Sequence, residues 1–436
     1  MGTLIEVSQF FLSLSILIIL HEAGHFFAAR LFKIRVEKFY LFFDPWFSLF
    51  KVKKGDTEYG IGWLPLGGYV KIAGMIDESM DKEQMKLPPQ PWEFRAKPTW
   101  QRLIVMVAGV TVNLLLGIVI YTAMSFMNGS NYLPIKNAKY GIYCDSLANN
   151  VGLKSTDTIV GVNGKTVTRF DSITMDVIFD KAKSIQVERG GKAISIPISE
   201  EDLSAILGDA KGFICPLYTI KVDSIFQGSG AEKAGLKKGD HIVMIDSVNT
   251  YFQTMSTTVQ KFKNQDIKLS VVSNGQSRIV TVHVNDSGKI GIGLIPDTLQ
   301  TVHTNYSFFQ SIPVGINMAF ATVKSFARQL NIIFTVKGAH KQVGSFITIA
   351  KGYGKVWDWG HFWLFTALIS IMLAFVNILP IPALDGGHVM FLLYEMLTGR
   401  KPNEKVMEYA QWAGMLLLLT VIIYANGLDV GRLLHK

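Results

Sequence analysis

Four long apolar stretches limit what this chain can fold into, because each is long enough to cross a lipid bilayer. They cover residues 7–29, 102–127, 361–379 and 409–428, and the third resumes after a proline-rich break as residues 389–397. A membrane-spanning helix needs about 20 residues. Only 18% of the 436 residues are charged, whereas 49% are hydrophobic, which is less charge than a soluble protein usually carries. The sequence therefore predicts a polytopic α-helical membrane protein with four transmembrane helices.

Basic residues cluster in the segments that flank these stretches. They fall into three groups: Arg30, Lys33, Arg35 and Lys38 after the first stretch; Arg95, Lys97 and Arg102 at the start of the second; and Arg400, Lys401 and Lys405 between the last two. Cytoplasmic loops carry an excess of Lys and Arg, so we expect both termini and the long middle region outside the cytoplasm. This topology explains the net charge of +9. The expected partner is thus the lipid bilayer, and no nucleic acid is expected.

The first stretch contains the pattern His21-Glu22-Ala23-Gly24-His25. On a helix, residues four apart share a face, so both imidazoles can bind one Zn²⁺ while Glu22 accepts a proton from water. Ionisable side chains inside an apolar helix are costly, which favours a functional site. The alternatives are a chance match and the core of a signal peptide. No Lys or Arg precedes Arg30, which argues against the signal peptide.

A second candidate group follows the third stretch. Catalytic zinc usually has three protein ligands, and Asp385 follows a break made by Pro380 and Pro382. A carboxylate on such a turn at membrane depth is costly unless it meets a cation, so we expect Asp385 to be the third ligand. Capping of the next helix is the alternative. Asn377 could donate a hydrogen bond to an oxyanion. His388 could be a ligand but suits a helix start or interface better.

Residues 58–71 are rich in aromatic and β-branched residues and are interrupted by glycine and proline, which predicts a β-hairpin dipping into the membrane face. Such a hairpin beside a metal site could add a strand to an unfolding substrate. The candidate substrate contacts are Gly67, Gly68, Tyr69, Val70 and Lys71. A plain interfacial loop is the alternative. The acidic segment 77–83 is typical of a solvated linker, and Gly109 with Asn113 is better explained by helix packing than by catalysis.

Residues 152–164 and 235–247 resemble each other, because each begins with Gly-Leu-Lys, passes an acidic turn and ends in a short β-branched run. This internal duplication predicts two small inserted β-rich domains. Cys144 and Cys215 could pair or remain separate. Residues 306–336 carry apolar residues at helical spacing, which predicts an amphipathic helix on the membrane surface. A fifth span is the alternative there.

Taken together, these motifs resemble the site-2 protease family, of the bacterial regulator of sigma-E protease type. The shared features are the HExxH pattern, the Asn and Leu-Asp-Gly-Gly residues late in the chain, the Gly-Gly-Tyr-Val-Lys loop and the two inserted domains. The resemblance implies that the β-rich domains are PDZ-like and that His21, His25 and Asp385 bind Zn²⁺. It also implies that Glu22 is the general base and that Asn377 supports the transition state.

The expected function is that of an intramembrane zinc metalloprotease of the bacterial cytoplasmic membrane. Its substrates would be the transmembrane segments of single-span proteins, such as an anti-sigma factor or a signal-peptide remnant. The PDZ-like domains would contact them, with Gly291, Ile292 and Gly293 of the second bordering a peptide groove. The first domain departs from this pattern at residues 148–151. The alternative is a membrane-anchored PDZ scaffold or chaperone with an inactive metal site.

This interpretation divides the chain into five parts. They are a membrane half with the HExxH helix and hairpin (1–127), two PDZ-like domains (128–215 and 216–300), a surface helix with its linker (301–360) and a membrane half with the Leu-Asp-Gly-Gly motif (361–436).

Overall fold

The computed structural model describes residues 2–65, 67–75, 88–210 and 212–434, so the predicted acidic linker at 77–83 lies outside the described residues. The chain forms two compact units. The first comprises Met1–Gly129, Asn305–Asn331 and Val343–Lys436, and the second comprises Ser130–Thr304 and Ile332–Gln342.

The helices and strands are numbered separately in chain order. The helices are α1 (Gly2–Leu31), α2 (Thr99–Asn128), α3 (Ser146–Val151), α4 (Ile173–Phe179), α5 (Glu200–Gly208), α6 (Gly230–Lys233), α7 (Phe252–Val259), α8 (Phe308–Thr335), α9 (Phe346–Gly352), α10 (Trp359–Asn377), α11 (Asp385–Thr398) and α12 (Glu404–Leu434). The strands are β1 (Val36–Leu41), β2 (Phe43–Lys54), β3 (Thr57–Leu64), β4 (Tyr69–Ile72), β5 (Ser130–Tyr132), β6 (Ile142–Cys144), β7 (Thr158–Val162), β8 (Lys165–Thr166), β9 (Ser184–Arg189), β10 (Lys192–Pro197), β11 (Ile214–Pro216), β12 (Ile220–Ile225), β13 (His241–Ile245), β14 (Val248–Asn249), β15 (Asp266–Ser273), β16 (Gln276–His283), β17 (Ile292–Pro296) and β18 (Val302–Thr304).

Within the described residues, four helices are long and apolar enough to cross a membrane: α1, α2, α10 and α12. Helix α2 packs against both α1 and α10. Glycines permit the close approach, because a Cβ on Gly24 would lie 2.7 Å from the Ala108 carbonyl oxygen and one on Gly117 would lie 2.5 Å from Ile371 Cγ1. Small residues serve this purpose at helix contacts in membranes, where van der Waals packing drives association.

The predicted helix at 306–336 is present as α8, and it is not among the four candidate spans of the described chain. Ala319 of α8 is buried in a cluster with Tyr121 of α2 and Ala367 of α10. A Cβ on Gly315 would overlap Thr122 Oγ1 of α2. Helix α8 is therefore packed along one face against other helices of the first unit.

The strands of the first unit form one sheet in the order β2-β3-β1-β4. The predicted hairpin over residues 58–71 is wrong in its pairing, because β3 and β4 lie on opposite edges of β1 instead of pairing with each other. The hairpin that does form joins β2 to β3, and Gly55 occupies its turn with a φ of 62°. Sequence reasoning missed the strand at 36–41 that separates the two expected partners. On its other edge, β4 has no strand partner within the described chain.

The second unit contains two β-rich cores of similar construction, in agreement with the duplication seen in the sequence. In the first, Arg189 binds the buried Asp157 and the Gly152 carbonyl oxygen. In the second, Arg278 binds the buried Asp240 and the Gly235 carbonyl oxygen. The Gly-Leu-Lys entry and the acidic turn are thus fastened in the same way in both copies.

The two copies differ in their sheets. The second has the order β16-β15-β13-β12-β17, so β17 is an edge strand, whereas in the described part of the first β6 pairs with β11 alone in a separate ribbon. In that ribbon Cys144 pairs with Ile214, and Cys215 pairs with Tyr143. Since neighbouring residues of a strand point to opposite faces, the two thiols are on opposite faces, and both are free.

Candidate metal centre

Helix α1 positions the two histidines of the HExxH pattern. They are four residues apart on one uninterrupted helix, and the His21 Nε2 and His25 Nε2 atoms are 3.3 Å apart. The Nδ1 atom of His25 lies 2.8 Å from the Val105 carbonyl oxygen of α2. Because a carbonyl oxygen can only accept, Nδ1 carries the proton and donates it. The Nε2 lone pair of His25 is therefore available to a metal.

Asp385 reaches both histidines from the start of α11. Its Oδ2 atom lies 3.3 Å from His21 Nε2 and 3.3 Å from His25 Nε2. The N-cap of α11 is Leu384 and lacks a side-chain cap, so the capping role weighed for Asp385 is wrong.

The loop before Asp385 is held in an unusual conformation by neighbouring helices. Ala383 has a φ of 81°, in the left-handed region, and its N–H donates to Gln411 Oε1 of α12 at 3.2 Å. A Cβ on Gly414 of α12 would overlap the Pro382 carbonyl oxygen, and one on Gly386 would overlap the Leu379 carbonyl oxygen. The two glycines therefore permit the close backbone contacts that place the carboxylate.

The geometry of these three side chains fits a zinc ion. The donor atoms form a triangle with sides of 3.3 Å, and the ligand atoms of a tetrahedral zinc with bonds of about 2.0–2.1 Å are about 3.3–3.4 Å apart. Asp385 Oδ2 is buried and has no hydrogen-bond partner within the described chain. A buried carboxylate oxygen without a donor calls for a cation. Across the described residues, this is the one His/Cys/Asp/Glu group with metal-binding spacing.

Glu22 and Asn377 lie in the same cavity, which has a volume of about 1000 Å³. Asn377 is the last residue of α10, which ends there because Pro380 and Pro382 cannot continue a helix. Its Nδ2 atom is 3.4 Å from His21 Nε2. His388, one turn beyond Asp385, lines the cavity without joining the three clustered donors. The Glu22 carboxylate and the Asn377 amide N–H therefore line the same cavity as the three candidate metal ligands.

Sequence reasoning underrated two residues of α2. Asn113 is fully buried, and its Nδ2 atom lies 3.2 Å from His21 Nδ1. A Cβ on Gly109 would overlap His25 Nε2 and lie 2.7 Å from His21 Cε1. Helix packing alone is therefore an incomplete interpretation of this pair. Their four-residue spacing showed a shared face, but nothing in the sequence showed that the face meets the histidines.

Comparison with known proteins decides the family. The family described as peptidase family M50 matches residues 9–421. The chain belongs to peptidase family M50. It is 27% identical to the regulator of sigma E protease of Haemophilus influenzae, over 99% of this chain and 100% of that protein. It is also 27% identical to the regulator of sigma-E protease RseP of Escherichia coli, over 98% and 99% of the two chains.

A relative from Neisseria meningitidis, provisionally named a zinc metalloprotease, is 27% identical over 98% of each chain. This M50 peptidase is accordingly a zinc metalloprotease and a membrane protein. The expected enzyme class and cofactor are confirmed.

The predicted substrate contacts of this M50 peptidase fall in two places. Gly67, Gly68 and the β4 residues Tyr69, Val70 and Lys71 line the metal-centre cavity. A Cβ on Gly68 would lie 3.3 Å from Glu22 Cγ and 2.7 Å from the Tyr40 carbonyl oxygen. The loop before β4 is thus packed directly beside the general-base candidate.

The other predicted contacts belong to the second unit. Gly291 precedes β17 with a φ of 81°, and a Cβ there would overlap Ser229. Ile292 and Gly293 begin β17 and pair with Ile225 and Ser224 of β12. They lie on a strand whose other edge has no strand partner among the described residues.

Proposed function

We propose that this M50 peptidase hydrolyses peptide bonds within the transmembrane segments of single-span membrane proteins. The observation that carries the proposal is the placement of the donor triangle of His21, His25 and Asp385 among helices long and apolar enough to cross a membrane. A soluble substrate would not require a proteolytic centre built on such helices, where ionisable groups are costly.

In this proposal His21, His25 and Asp385 would hold a zinc ion, and the chemistry that it would supply is polarisation of the scissile carbonyl and a lowered pKa of the attacking water. Glu22 accepts a proton from the water and delivers it to the leaving amine. The amide N–H of Asn377 donates to the carbonyl oxygen as it gains negative charge. The Val105 carbonyl oxygen keeps His25 in the tautomer that binds metal. Each step uses a group that lines the same cavity or packs directly against it.

The edge of β4 is the proposed docking surface for the substrate. A transmembrane helix hides its peptide bonds in internal hydrogen bonds, so a cleavage site has to unwind. An extended segment can then pair its backbone with a free strand edge. Strand β4 offers such an edge along the wall of the cavity, and Gly68 brings it against Glu22. The substrate strand would thereby be fixed next to the base.

The two β-rich domains, which we interpret as PDZ-like, select substrates outside the cytoplasm. The edge of β17 beginning at Ile292 is the proposed peptide groove of the second domain, whereas among the described residues no equivalent strand joins the main sheet of the first. The names of the relatives associate them with sigma-E regulation. We propose single-span proteins of the bacterial cytoplasmic membrane as substrates. The clusters of Lys and Arg beside the spans support a topology with both termini of the enzyme outside the cytoplasm.

The test is cleavage of a panel of single-span membrane proteins by the full-length chain in lipid nanodiscs. Glu22→Gln is expected to reduce cleavage to background, since the amide cannot accept the proton. Glu201→Gln, a change at an exposed position of the second unit, is the matched control and should leave cleavage unchanged. Undiminished cleavage by Glu22→Gln would overturn the assignment of the base, and cleavage restricted to soluble peptides would overturn the substrate class.

A further inference from the structure

The two zinc-binding candidates on α1 need the same protonation pattern. A neutral imidazole that binds metal through Nε2 must carry its proton on Nδ1, and that N–H is normally held by an acceptor. His25 has such an acceptor in the Val105 carbonyl oxygen, at 2.8 Å. The corresponding neighbour of His21 Nδ1 is the side-chain amide of Asn113 on α2. The tautomer of His21 therefore depends on whether Oδ1 or Nδ2 of this amide faces the imidazole.

The surroundings of Asn113 favour Oδ1. With Nδ2 facing His21 Nδ1 at 3.2 Å, the proton of His21 would sit on Nε2, where it blocks metal binding. In that arrangement Asn113 Oδ1 is also buried without a hydrogen-bond partner within the described chain. Rotation of the amide by about 180° exchanges the two ends with little change in shape. It places Oδ1 against His21 Nδ1 and removes the buried unsatisfied acceptor next to the metal centre.

We propose that Asn113 is a positioning residue for zinc, whose Oδ1 accepts the Nδ1–H of His21 and thereby fixes the imidazole with Nε2 towards the metal. Its own backbone is fixed from the other side, because Ser370 Oγ of α10 donates to the Asn113 carbonyl oxygen at 2.7 Å. The contact joins α1, α2 and α10 at the metal centre. This inference rests on the proposed ligand set, because it assigns a role towards His21 as a ligand.

The decisive measurement is zinc affinity, determined by competition with a chelator on the full-length protein in nanodiscs. Asn113→Leu keeps the approximate size but removes the acceptor, and it should weaken zinc binding about 10–100-fold. Asn113→Asp keeps an acceptor and should bind zinc at least as tightly as the unmodified chain. Thr111→Val, on an exposed face of the same helix, should leave zinc affinity unchanged.

Several outcomes would overturn the inference. Unchanged zinc affinity in Asn113→Leu would reduce Asn113 to a packing residue, and equal weakening in Asn113→Asp and Asn113→Leu would exclude a role as acceptor. Asp385→Ala separates this failure from that of the ligand set. If Asp385→Ala loses zinc while Asn113→Leu keeps it, only the role of Asn113 fails. If Asp385→Ala retains zinc at full affinity, both proposals fail.

A measurement on the unmodified chain covers the case in which Asn113→Leu does not fold. Nitrogen NMR of the zinc-loaded protein with labelled histidine distinguishes a protonated from an unprotonated Nδ1. We expect a protonated, hydrogen-bonded Nδ1 on both zinc-binding histidines. An unprotonated Nδ1 on His21 would contradict the inference.

Discussion

A buried aspartate in the second unit and a half-buried one in the first, Asp240 and Asp385, are held in opposite ways. Asp240 of the second unit is fully satisfied, because both of its oxygens accept hydrogen bonds, from Ser273, Arg278 and the backbone N–H of Lys237. In the first unit, Asp385 Oδ2 has no donor within the described chain and faces two imidazole nitrogens. A structural carboxylate is thus satisfied by protein donors, whereas the proposed metal ligand presents an oxygen to the two histidines.

The electrostatics of Asp240 follow from its partners. Burial opposes its ionisation, but the hydrogen bonds from Ser273, Lys237 and Arg278 outweigh this and hold the pKa of the carboxyl below its usual range. Asp240 therefore stays charged while it fastens the acidic turn of its domain. The same arrangement recurs at Asp157 in the first copy. Its repetition in both copies indicates a structural role, whereas the donor triangle at Asp385 occurs once in the described chain.

The largest expected effect separates these two carboxylates directly. Asp385→Asn should abolish both zinc binding at stoichiometric level and proteolysis, because the anionic ligand is lost. Asp240→Asn is the matched control, and it should retain zinc and the activity of the metal centre while destabilising the second unit. Mass spectrometry measures the zinc content of each variant, and cleavage of a single-span substrate measures its proteolytic activity. If Asp240→Asn lost zinc while Asp385→Asn kept it, the roles assigned to the two carboxylates would be wrong.

A smaller effect is expected at the glycines of α2. A Cβ on Gly109 would overlap His25 Nε2, so Gly109→Ala should displace the imidazoles and weaken zinc binding about 10–100-fold, as for changes that misplace ligands. Gly117→Ala is the control, because it also introduces a crowded Cβ on α2, but that Cβ would meet the buried side chain of Ile371 at 2.5 Å instead of the ligands. Chelator competition should show weakened zinc binding only in Gly109→Ala. Equal zinc affinity in both variants would contradict the assigned geometry.

The smallest effect concerns the stability of the second domain and its pH dependence. Arg278→Met leaves Asp240 with fewer donors and should lower the free energy of unfolding by about 1–3 kcal/mol. Because the folded pKa of Asp240 is depressed, its contribution is present above about pH 4, the ordinary pKa of an aspartate, and is lost as pH falls further.

Hydrogen exchange of the β13 and β15 amides measures this local stability. The unmodified chain should lose protection on acidification below about pH 4 more steeply than Arg278→Met does. Lys238→Met, which breaks an exposed ion pair with Asp223, should change the free energy of unfolding by less than about 1 kcal/mol. If Lys238→Met lowered the free energy of unfolding as much as Arg278→Met does, the burial of Asp240 would not explain the effect of Arg278→Met.

Much of the candidate site could be predicted from sequence because its signals are local. The spacing of His21 and His25 depends only on a single helix, and the four apolar stretches match helices of the described structure to within about six residues at each end. Asp385 could be singled out because a carboxylate after a proline break at membrane depth is costly. Helical spacing and an ionisable side chain at membrane depth can both be recognised within a short stretch of sequence.

The remaining features depend on which distant segments meet. The insertion of β1 between β3 and β4 could not be inferred from residues 58–71, because those residues contain both neighbours but not the strand between them. The contact of Asn113 with His21 depends on the packing register of α1 against α2, which Gly24 and Gly109 set by close backbone approach. Such contacts are decided by tertiary packing and not by periodicity.

Zinc-edge X-ray absorption on the purified full-length protein tests the proposed ligand set of His21, His25 and Asp385 most directly. We expect one zinc per chain with only nitrogen and oxygen ligands at about 2.0–2.1 Å, including the scattering signature of two imidazoles. A sulfur ligand at about 2.3 Å would contradict it, since neither cysteine belongs to the donor triangle. Retention of the two-imidazole signature after His21→Ala would contradict it as well.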